Sequence, residues 1–283
     1  MEKPTNINKI IIRSPNWVGD VVMATPAFRC IRENFPDAII TLALKSYIQK
    51  LIEGAPWFDK LFLLDSKDRL PGGAQYFPVV KHIRAQKYDL GFLFPNSFSS
   101  AFMFWLGGVK RRVGYKRDER AWFLTDGINR LYENGHFFPT YMGDYYLRLC
   151  TAVGCEVQSK DLALFITENG RRRVDEIFGK YHLDGCRPLI LLNPGAAYGS
   201  SKCWTAEGFA RTADIISDQL DCTIAIVCAP HETKLAMAIE QAAKSKLINL
   251  ANQIISLDVL NALIKRCALL ITVDSGPRHI AVA

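Results

Sequence analysis

Short apolar runs alternate with segments of helical spacing along most of the chain. In residues 21–34, for example, Val22, Ala27, Phe28 and Ile31 fall on one side of a helix. The apolar runs predict strands at residues 9–13, 38–44, 60–64, 89–94, 112–114, 189–192, 223–228, 247–249 and 268–273. The other segments predict helices at residues 21–34, 47–53, 77–85, 99–106, 142–153, 169–180, 205–219, 232–243 and 257–266. Strands that alternate with helices indicate parallel sheets covered by helices, so we predict an α/β fold.

The alternation is interrupted near residues 155–187 and starts again at Leu189. We therefore predict two Rossmann-like domains, residues 1–165 and residues 166–283, each built around a parallel sheet. The 283 residues are enough for two domains with a core each. Open parallel sheets bind ligands at the carboxyl ends of their strands, so two such domains facing each other would form a central cleft.

The composition is typical of a soluble globular protein, with 49% hydrophobic and 22% charged residues. The formal net charge of +7 favours anionic partners such as nucleotides, phosphorylated lipids or a membrane surface. No RNA-binding signature and no basic recognition helix accompany this charge, so no nucleic acid is expected as a partner.

The eight cysteines are scattered, with no Cys-x-x-Cys pair and no zinc spacing to histidine. They predict the reduced thiols of a cytoplasmic protein. The acidic residues show no ligand spacing, so no metal is expected. The sequence after Met1 lacks the apolar core of a signal peptide, and no apolar stretch is long enough to span a bilayer.

The first predicted strand runs into the loop Asn16-Trp17-Val18-Gly19-Asp20. Gly19 permits a tight turn, and Asp20 lies where the next helix begins. Position alone leaves two interpretations of Asp20 open. It is either a helix N-cap or a carboxylate that accepts a proton from a substrate hydroxyl.

A second loop follows another predicted strand and combines small residues with a cation. Its candidate residues are Asn193, Gly195, Ser200, Ser201 and Lys202. Small side chains let backbone amides approach an anion, and Lys202 supplies a positive charge. The alternative is a surface loop with a solvated lysine, since the Walker spacing is absent.

Two further turns each follow a predicted strand. Glu232 either accepts hydrogen bonds from a ribose or stabilises the first turn of a helix. The turn Asp274-Ser275-Gly276 precedes a helix that carries His279. Free backbone N–H groups at the start of such a helix favour a phosphate, although an ordinary capped helix fits the same residues.

An aromatic and then strongly basic region covers residues 95–120. It begins with Asn96 and Ser97 and ends with a basic run that includes Arg120. Such a region can hold an acidic, lipid-linked acceptor or touch a membrane face. The alternative is an apolar core helix followed by a solvated loop.

Five of these features occur together and in order, each after a predicted strand. They are Asn16 to Asp20, Pro95-Asn96-Ser97, Asn193-Pro194-Gly195-Ala196, Lys202 with Trp204, and Asp274 to His279. With this combination the chain, from about Lys9 to its last residue, resembles the bacterial lipopolysaccharide heptosyltransferases, most of all the type II enzymes.

The resemblance implies a GT-B-like fold and an inverting glycosyltransferase. Such an enzyme moves heptose from ADP-heptose to the inner core of lipopolysaccharide, with heptosyl-Kdo-lipid A as the acceptor. It would need no metal or other cofactor and would act in the cytoplasm at the periphery of the inner membrane. The first domain would bind the acceptor, and the second would bind the nucleotide sugar.

The resemblance also implies roles for individual residues. Asp20 matches the proposed base and Lys202 the cation that steadies the leaving diphosphate, so both are expected to be catalytic. Donor binding is expected from Asn193, Gly195, Ser200, Ser201, Glu232, Asp274, Ser275, Gly276 and His279. Acceptor binding is expected from Asn16, Trp17, Asn96, Ser97 and Arg120.

Relative to that family, the chain ends inside the helix that follows Asp274, so we expect a C-terminally short, incomplete second domain. Two alternatives stay open. One is a non-catalytic remnant of the family that binds nucleotide sugars. The other is a Rossmann oxidoreductase, which is disfavoured because no Gly-x-Gly-x-x-Gly follows the first strand.

Overall fold

A computed structural model describes residues 4–64, 76–133, 136–183, 185, 187–195 and 204–283. Its contacts divide the chain into two units, Met1–Ala163 and Leu164–Ala283. Each unit carries a parallel sheet with helices, so the predicted α/β fold with two parallel sheets is confirmed.

The first unit is built on a sheet of parallel strands. The strands are β1 (Lys9–Arg13), β2 (Ile39–Leu44), β3 (Lys60–Leu63), β4 (Leu90–Leu93), β5 (Arg111–Tyr115) and β6 (Asp126–Ile128). Within the described part of the chain their order is β3-β2-β1-β4-β5-β6. This is the strand order of the Rossmann fold, in which the chain reverses its direction of travel next to the first strand.

Helices cover this sheet. They are α1 (Val18–Met23), α2 (Thr25–Asn34), α3 (Ser46–Ile52), α4 (Phe77–Gln86), α5 (Phe98–Leu106) and α6 (Met142–Thr151). A short 3-10 helix covers Ala121–Phe123, and β7 (Tyr132–Glu133) pairs with β8 (His136–Phe137) in an antiparallel ribbon. The central strand shows the effect of this cover, because Ile10, Ile11 and Ile12 have no exposed surface on either face.

The single helix predicted over residues 21–34 is wrong, because the chain forms two helices that meet at Ala24. Pro26 causes the break, since it has no N–H to donate to the carbonyl of Val22, four residues earlier. The Thr25 hydroxyl donates to that carbonyl instead, at 2.7 Å. A proline in the middle of a helical pattern thus marks the junction.

The second unit repeats the arrangement with fewer strands. Its strands are β9 (Leu189–Asn193), β10 (Thr223–Ile226), β11 (Ile248–Asn249) and β12 (Leu269–Thr272). Its helices are α7 (Glu168–Lys180), α8 (Ala206–Gln219), α9 (Thr233–Ala242), α10 (Leu257–Arg266) and α11 (Gly276–Val282). The parallel strands lie in the order β11-β10-β9-β12 in the described residues, so the reversal falls beside β9.

Threonine caps fix where two helices of this unit begin. The hydroxyl of Thr167 accepts the N–H of Gly170 at 3.0 Å, and that of Thr205 accepts the N–H of Gly208 at 3.0 Å. Each bond satisfies a backbone donor that the first turn of a helix leaves unpaired. The helix starts predicted from the sequence, residues 169 and 205, each lie within one residue of the observed starts.

Each predicted strand has a counterpart in the structure. The sequence pattern missed the short polar strand β6 and the ribbon of β7 and β8. In the part of the chain that the structure describes, no helix combines the length and the hydropathy that crossing a bilayer requires.

Candidate active site

In the sheet of the first unit, β2 lies on one side of β1 and β4 lies on the other. The strand order therefore reverses between β1 and β4. Arg13, the last residue of β1, lies beside Leu93 of β4. The loops after these two strands therefore leave the same edge of the sheet. Ligands of open α/β sheets bind at this kind of point.

Asp20 follows β1 and lies in the first turn of α1. Trp17, not Asp20, occupies the N-cap position, so the structure removes the N-cap interpretation of Asp20. The Tyr146 hydroxyl donates a hydrogen bond to the Asp20 carboxylate. Burial raises the pKa of Asp20, and the hydrogen bond from Tyr146 partly opposes that rise. A carboxylate with a raised pKa is a stronger base than an exposed one.

A stack of aromatic rings holds Tyr146 in place. Its ring stacks on Phe94 with centroids 5.1 Å apart, and Phe94 stacks on Phe28 at 5.3 Å. Tyr146 is 3% exposed, and burial together with the nearby Asp20 charge raises the pKa of its hydroxyl. The hydroxyl therefore stays protonated and acts as a donor toward Asp20.

Asn96 follows β4 and lies at the centre of a second set of contacts. Its Oδ1 accepts the Tyr145 hydroxyl at 3.1 Å and Nη2 of Arg120 at 3.1 Å. Tyr145 precedes Tyr146 on α6, so neighbouring tyrosines contact Asn96 and Asp20. One helix thus fixes the polar groups that follow both strands at the reversal point.

Arg120 is completely buried, unlike the exposed side chain that acceptor binding requires. It donates to the carbonyls of Tyr115 and Pro95 as well as to Asn96. Burial lowers the pKa of Arg120 to about 10. These contacts favour a positioning role, in which Arg120 orients the Asn96 loop, over direct contact with an acceptor.

The other predicted acceptor residues lie at the same edge. The Asn16 side chain accepts Nη2 of Arg13 at 2.7 Å, and its carbonyl accepts the Tyr47 hydroxyl. Trp17 is 53% exposed, and the exposed Ser97 occupies the N-cap position of α5. Their roles in acceptor binding stay predictions.

In the second unit Asn193 joins the carboxyl ends of three neighbouring strands. It is the last residue of β9 and is buried. Its Nδ2 donates to the carbonyl of Val227, just after β10, at 2.9 Å. Its Oδ1 accepts the hydroxyl of Thr272, the last residue of β12, at 3.2 Å. Asn193 therefore acts as a brace at the reversal point of this sheet.

Gly195 and Glu232 are in direct contact. A Cβ added to Gly195 would lie 2.0 Å from the carboxylate carbon and from both oxygens of Glu232, so any larger residue would have to displace this carboxylate. Glu232 Oε2 accepts the N–H of Ala229 at 2.9 Å, and its Oε1 lies 3.6 Å from Nε2 of the exposed His231. The glycine lets a carboxylate fold over the loop that follows β9.

The turn after β12 places Ser275 at the N-cap position of α11, with Gly276 as the first helical residue. The Ser275 hydroxyl lies 3.3 Å from that of Thr272 and makes no capping bond. Asp274 is exposed and pairs with Arg278 at 3.2 Å. The predicted donor residue His279 is half-buried on α11.

Three predicted residues, Ser200, Ser201 and Lys202, lie outside the described residues. Their roles in donor binding and catalysis therefore stay predictions. Within the described ranges, no group of three or more His, Cys, Asp or Glu side chains is arranged to hold a metal ion.

The sequence interpretation missed four residues that shape these sites. Tyr145 and Tyr146 come from α6, far along the chain from Asp20 and Asn96, and Arg13 and Thr272 were treated only as strand residues. A signal for the last two was available, because each is a polar residue at the carboxyl end of an apolar strand. The tyrosines carried no such signal.

Comparisons with known proteins give consistent results. The family described as glycosyltransferase family 9 (heptosyltransferase) matches residues 77–283. Lipopolysaccharide heptosyltransferase 2 of Escherichia coli (strain K12) is 25% identical over 285 residues, which cover 97% of this chain and 80% of that protein.

Two solved structures share the fold. The glycosyl transferase family 9 structure from Veillonella parvula DSM 2008 has a TM-score of 0.86 at 24% identity and covers 99% of this chain and 78% of that one. The structure of E. coli heptosyltransferase WaaC with ADP-2-deoxy-2-fluoro heptose has a TM-score of 0.74 at 14% identity. The match covers 96% of this chain and 85% of that one. The GT-B-like fold implied by the sequence resemblance is confirmed.

Proposed function

The chain belongs to glycosyltransferase family 9, the heptosyltransferase family, and on that premise we propose that it moves heptose from ADP-heptose to the lipopolysaccharide inner core. The acceptor is heptosyl-Kdo-lipid A, and the anomeric configuration of the donor inverts. The observation that carries the proposal is the half-buried Asp20 carboxylate, with its raised pKa and its Tyr146 hydrogen bond, at the reversal point of the first sheet.

Asp20 serves as the general base. It takes the proton of the acceptor hydroxyl while the hydroxyl oxygen forms a bond to the anomeric carbon of the heptose. The bond from that carbon to the diphosphate oxygen breaks in the same step, and ADP leaves. Tyr146 holds the carboxylate in one orientation, so that the oxygen that accepts the proton is positioned before the acceptor binds.

The second unit binds the nucleotide. Oε1 of Glu232 accepts a hydrogen bond from a ribose hydroxyl, since Oε2 is already engaged with the backbone. The backbone N–H groups of the Ser275-Gly276 turn contact the diphosphate. Lys202 is the cation proposed to stabilise the charge that develops on the leaving ADP. The solved WaaC structure was obtained with an ADP-heptose analogue, which supports this choice of donor.

The first unit binds the anionic acceptor. A cavity of about 580 Å³ lies beyond the carboxyl ends of β5 and β6 and is lined by Lys116, Arg117, Asp118, Asn129 and Arg130. Three cations against one carboxylate give the cavity a positive charge, which suits the negatively charged sugars and phosphates of a lipid-linked oligosaccharide. The reaction would take place at the cytoplasmic face of the inner membrane, where such an acceptor is held. No metal or other cofactor and no nucleic acid takes part in the proposed reaction.

A transfer assay tests the proposal. Purified protein is incubated with heptosyl-Kdo-lipid A and ADP-heptose, with ADP-glucose as the control donor, and the product is identified by mass spectrometry. We expect heptose to be added from ADP-heptose only. Binding of ADP-heptose without any transfer would instead identify a non-catalytic protein that binds nucleotide sugars.

A further inference from the structure

Helix α5 is apolar on the side that faces the sheet and also on the side that faces solvent. Residues 98–109 contain no charged side chain. Ala101 and Phe104 are buried in the core against β4, whereas Phe98 is 46% and Trp105 47% exposed. A helix that is apolar all round is normally covered on every side, so the outer side of α5 needs an explanation.

The outer side of α5 is part of an aromatic surface, made of Phe98, Phe102, Trp105, Trp122 and Phe123, in which ring contacts join all but Trp122. The ring of Phe123 lies 5.1 Å from that of Phe98 and 5.4 Å from those of Phe102 and Trp105. Trp122, in the adjoining 3-10 helix, is 92% exposed. Four of the rings pack on one another, and Trp122 is the most exposed of the five.

Arginine side chains fix the edges of the aromatic surface. Arg84 donates to the carbonyl of Leu106, at the end of α5, at 2.7 Å. Arg112 donates to the carbonyl of Phe123. Both segments that carry the rings are therefore tied down, and guanidinium groups lie at the border of the rings.

The surroundings of the aromatic surface are basic. Residues 96–130 contain seven Lys and Arg against three Asp and Glu. The side chain of Lys110, just beyond α5, is 70% exposed and pairs with Asp89 at 2.8 Å. Exposed aromatic rings bordered by cations match the interface of a bilayer, where indole rings lie among headgroups and cations contact anionic lipids.

We propose that the aromatic surface docks on an anionic lipid bilayer. Asn96 lies two residues before Phe98, and the Asn96 loop is held by Arg120, two residues before Trp122. Docking would therefore place the bilayer next to the loop expected to bind the sugar of a lipid-linked acceptor. This placement rests on the proposed function, whereas the affinity for lipid does not. The basic border favours a bilayer over a second copy of this chain.

Flotation with lipid vesicles tests the docking surface. The protein is mixed with vesicles of phosphatidylcholine alone or with phosphatidylglycerol added, and bound protein is measured after centrifugation. We expect stronger binding to the anionic vesicles, and a reduction of about tenfold for each of Trp105→Ser and Trp122→Ser, because each removes a large apolar area from the contact. Ile254→Ser, which alters a residue 81% exposed in the second unit, is the control and should bind like the wild type.

Two results would overturn the proposal. One is unchanged vesicle binding by the Trp105→Ser/Trp122→Ser double variant, with circular dichroism showing that it is folded. The other is a self-associated wild type, seen by sedimentation velocity, that the double variant converts to monomers. An assay of heptose transfer to a lipid-free acceptor oligosaccharide separates this proposal from the proposed function. The double variant should transfer heptose to this acceptor as fast as the wild type does. A wild type that binds vesicles but transfers no heptose would refute the proposed function alone.

Discussion

The two units use the same strand order to place different chemistry at the point where the order reverses. In the first unit, β1 and β4 lead into the half-buried carboxylate of Asp20 and the amide of Asn96, which neighbouring tyrosines hold. In the second, β9 and β12 lead into a glycine, a serine and a neutral amide that braces the strands. The shared topology sets where a ligand can bind, and the side chains after each strand decide what happens there.

The difference follows from what each task needs. A base needs a desolvated carboxylate, and burial raises the pKa of Asp20 as that task requires. A diphosphate needs N–H groups, which the Ser275-Gly276 turn is proposed to supply, and the Glu232 carboxylate beside Gly195 is proposed to bind the ribose instead.

Removal of the proposed base should have the largest effect. It should slow the transfer reaction and leave nucleotide binding by the second unit unchanged. Asp20→Asn keeps the size and the acceptor oxygen of the side chain but accepts no proton. We expect transfer to slow by about 10²–10⁴-fold, the usual contribution of a general base. The rate of ADP release with both substrates present measures this effect. The exposed Asp37→Asn in the same unit is the control, and an Asp20→Asn enzyme as fast as the control would contradict the assignment.

The matching change in the second unit is Gly195→Ala. The new Cβ has to displace the Glu232 carboxylate, which lies 2.0 Å from its position. We expect ADP to bind about tenfold more weakly, as for the loss of one hydrogen bond. Gly179→Ala is the control, because nothing lies within 4 Å of a Cβ at that position of α7. It should leave ADP binding unchanged and stabilise the chain by about 0.5–1 kcal/mol.

Thr272→Val tests the brace of the second unit. Valine has nearly the same shape but lacks the hydroxyl that contacts Asn193 and Ser275. We expect the free energy of unfolding to fall by about 1 kcal/mol, since Asn193 Oδ1 loses its donor. Chemical denaturation measures the change. A variant as stable as the wild type would show that the hydroxyl is dispensable.

Tyr146→Phe tests how the first unit holds its base. The hydrogen bond from Tyr146 lowers the pKa of Asp20, so its removal should raise that pKa further. The acidic limb of the pH profile of kcat/KM should therefore move to higher pH, with a smaller change of kcat at the optimum. A merely structural role for Tyr146 would lower activity without moving the limb.

Asp20→Asn should also be at least as stable as the wild type at neutral pH. Because the pKa of Asp20 is raised in the folded state, ionisation of this group disfavours folding, and stability is lost as the pH rises through that pKa. The variant should therefore have the larger free energy of unfolding at pH values above the raised pKa of Asp20. This difference should vanish below the ordinary pKa of aspartate. Thermal unfolding at several pH values measures it, and a variant less stable than the wild type throughout would refute a desolvated base.

The sequence predicted the sheets well because central strands such as β1, β4 and β9 are buried on both faces and read as continuous apolar runs. It also located the loops after β1, β4, β9 and β12, because each strand ends abruptly in small or polar residues. It failed at β6, whose three residues are too few and too polar for a periodic signal. Pro26 did carry the signal for the break at Ala24.

The contacts that define the candidate site were harder to predict. Tyr146 reaches Asp20 only because α6 packs beside α1, and no local pattern reports such a distant contact. The burial of Arg120 was hidden for the same reason, since a basic run is normally solvated and this arginine is enclosed by the carbonyls of Pro95 and Tyr115.

The division of tasks is tested most directly by calorimetric titration of ADP into the wild type, Asp20→Asn and Gly195→Ala. If the nucleotide is bound by the second unit and the base is supplied by the first, Asp20→Asn binds ADP as tightly as the wild type and Gly195→Ala binds it about tenfold more weakly. Loss of ADP binding in Asp20→Asn, together with unchanged binding in Gly195→Ala, would contradict the account.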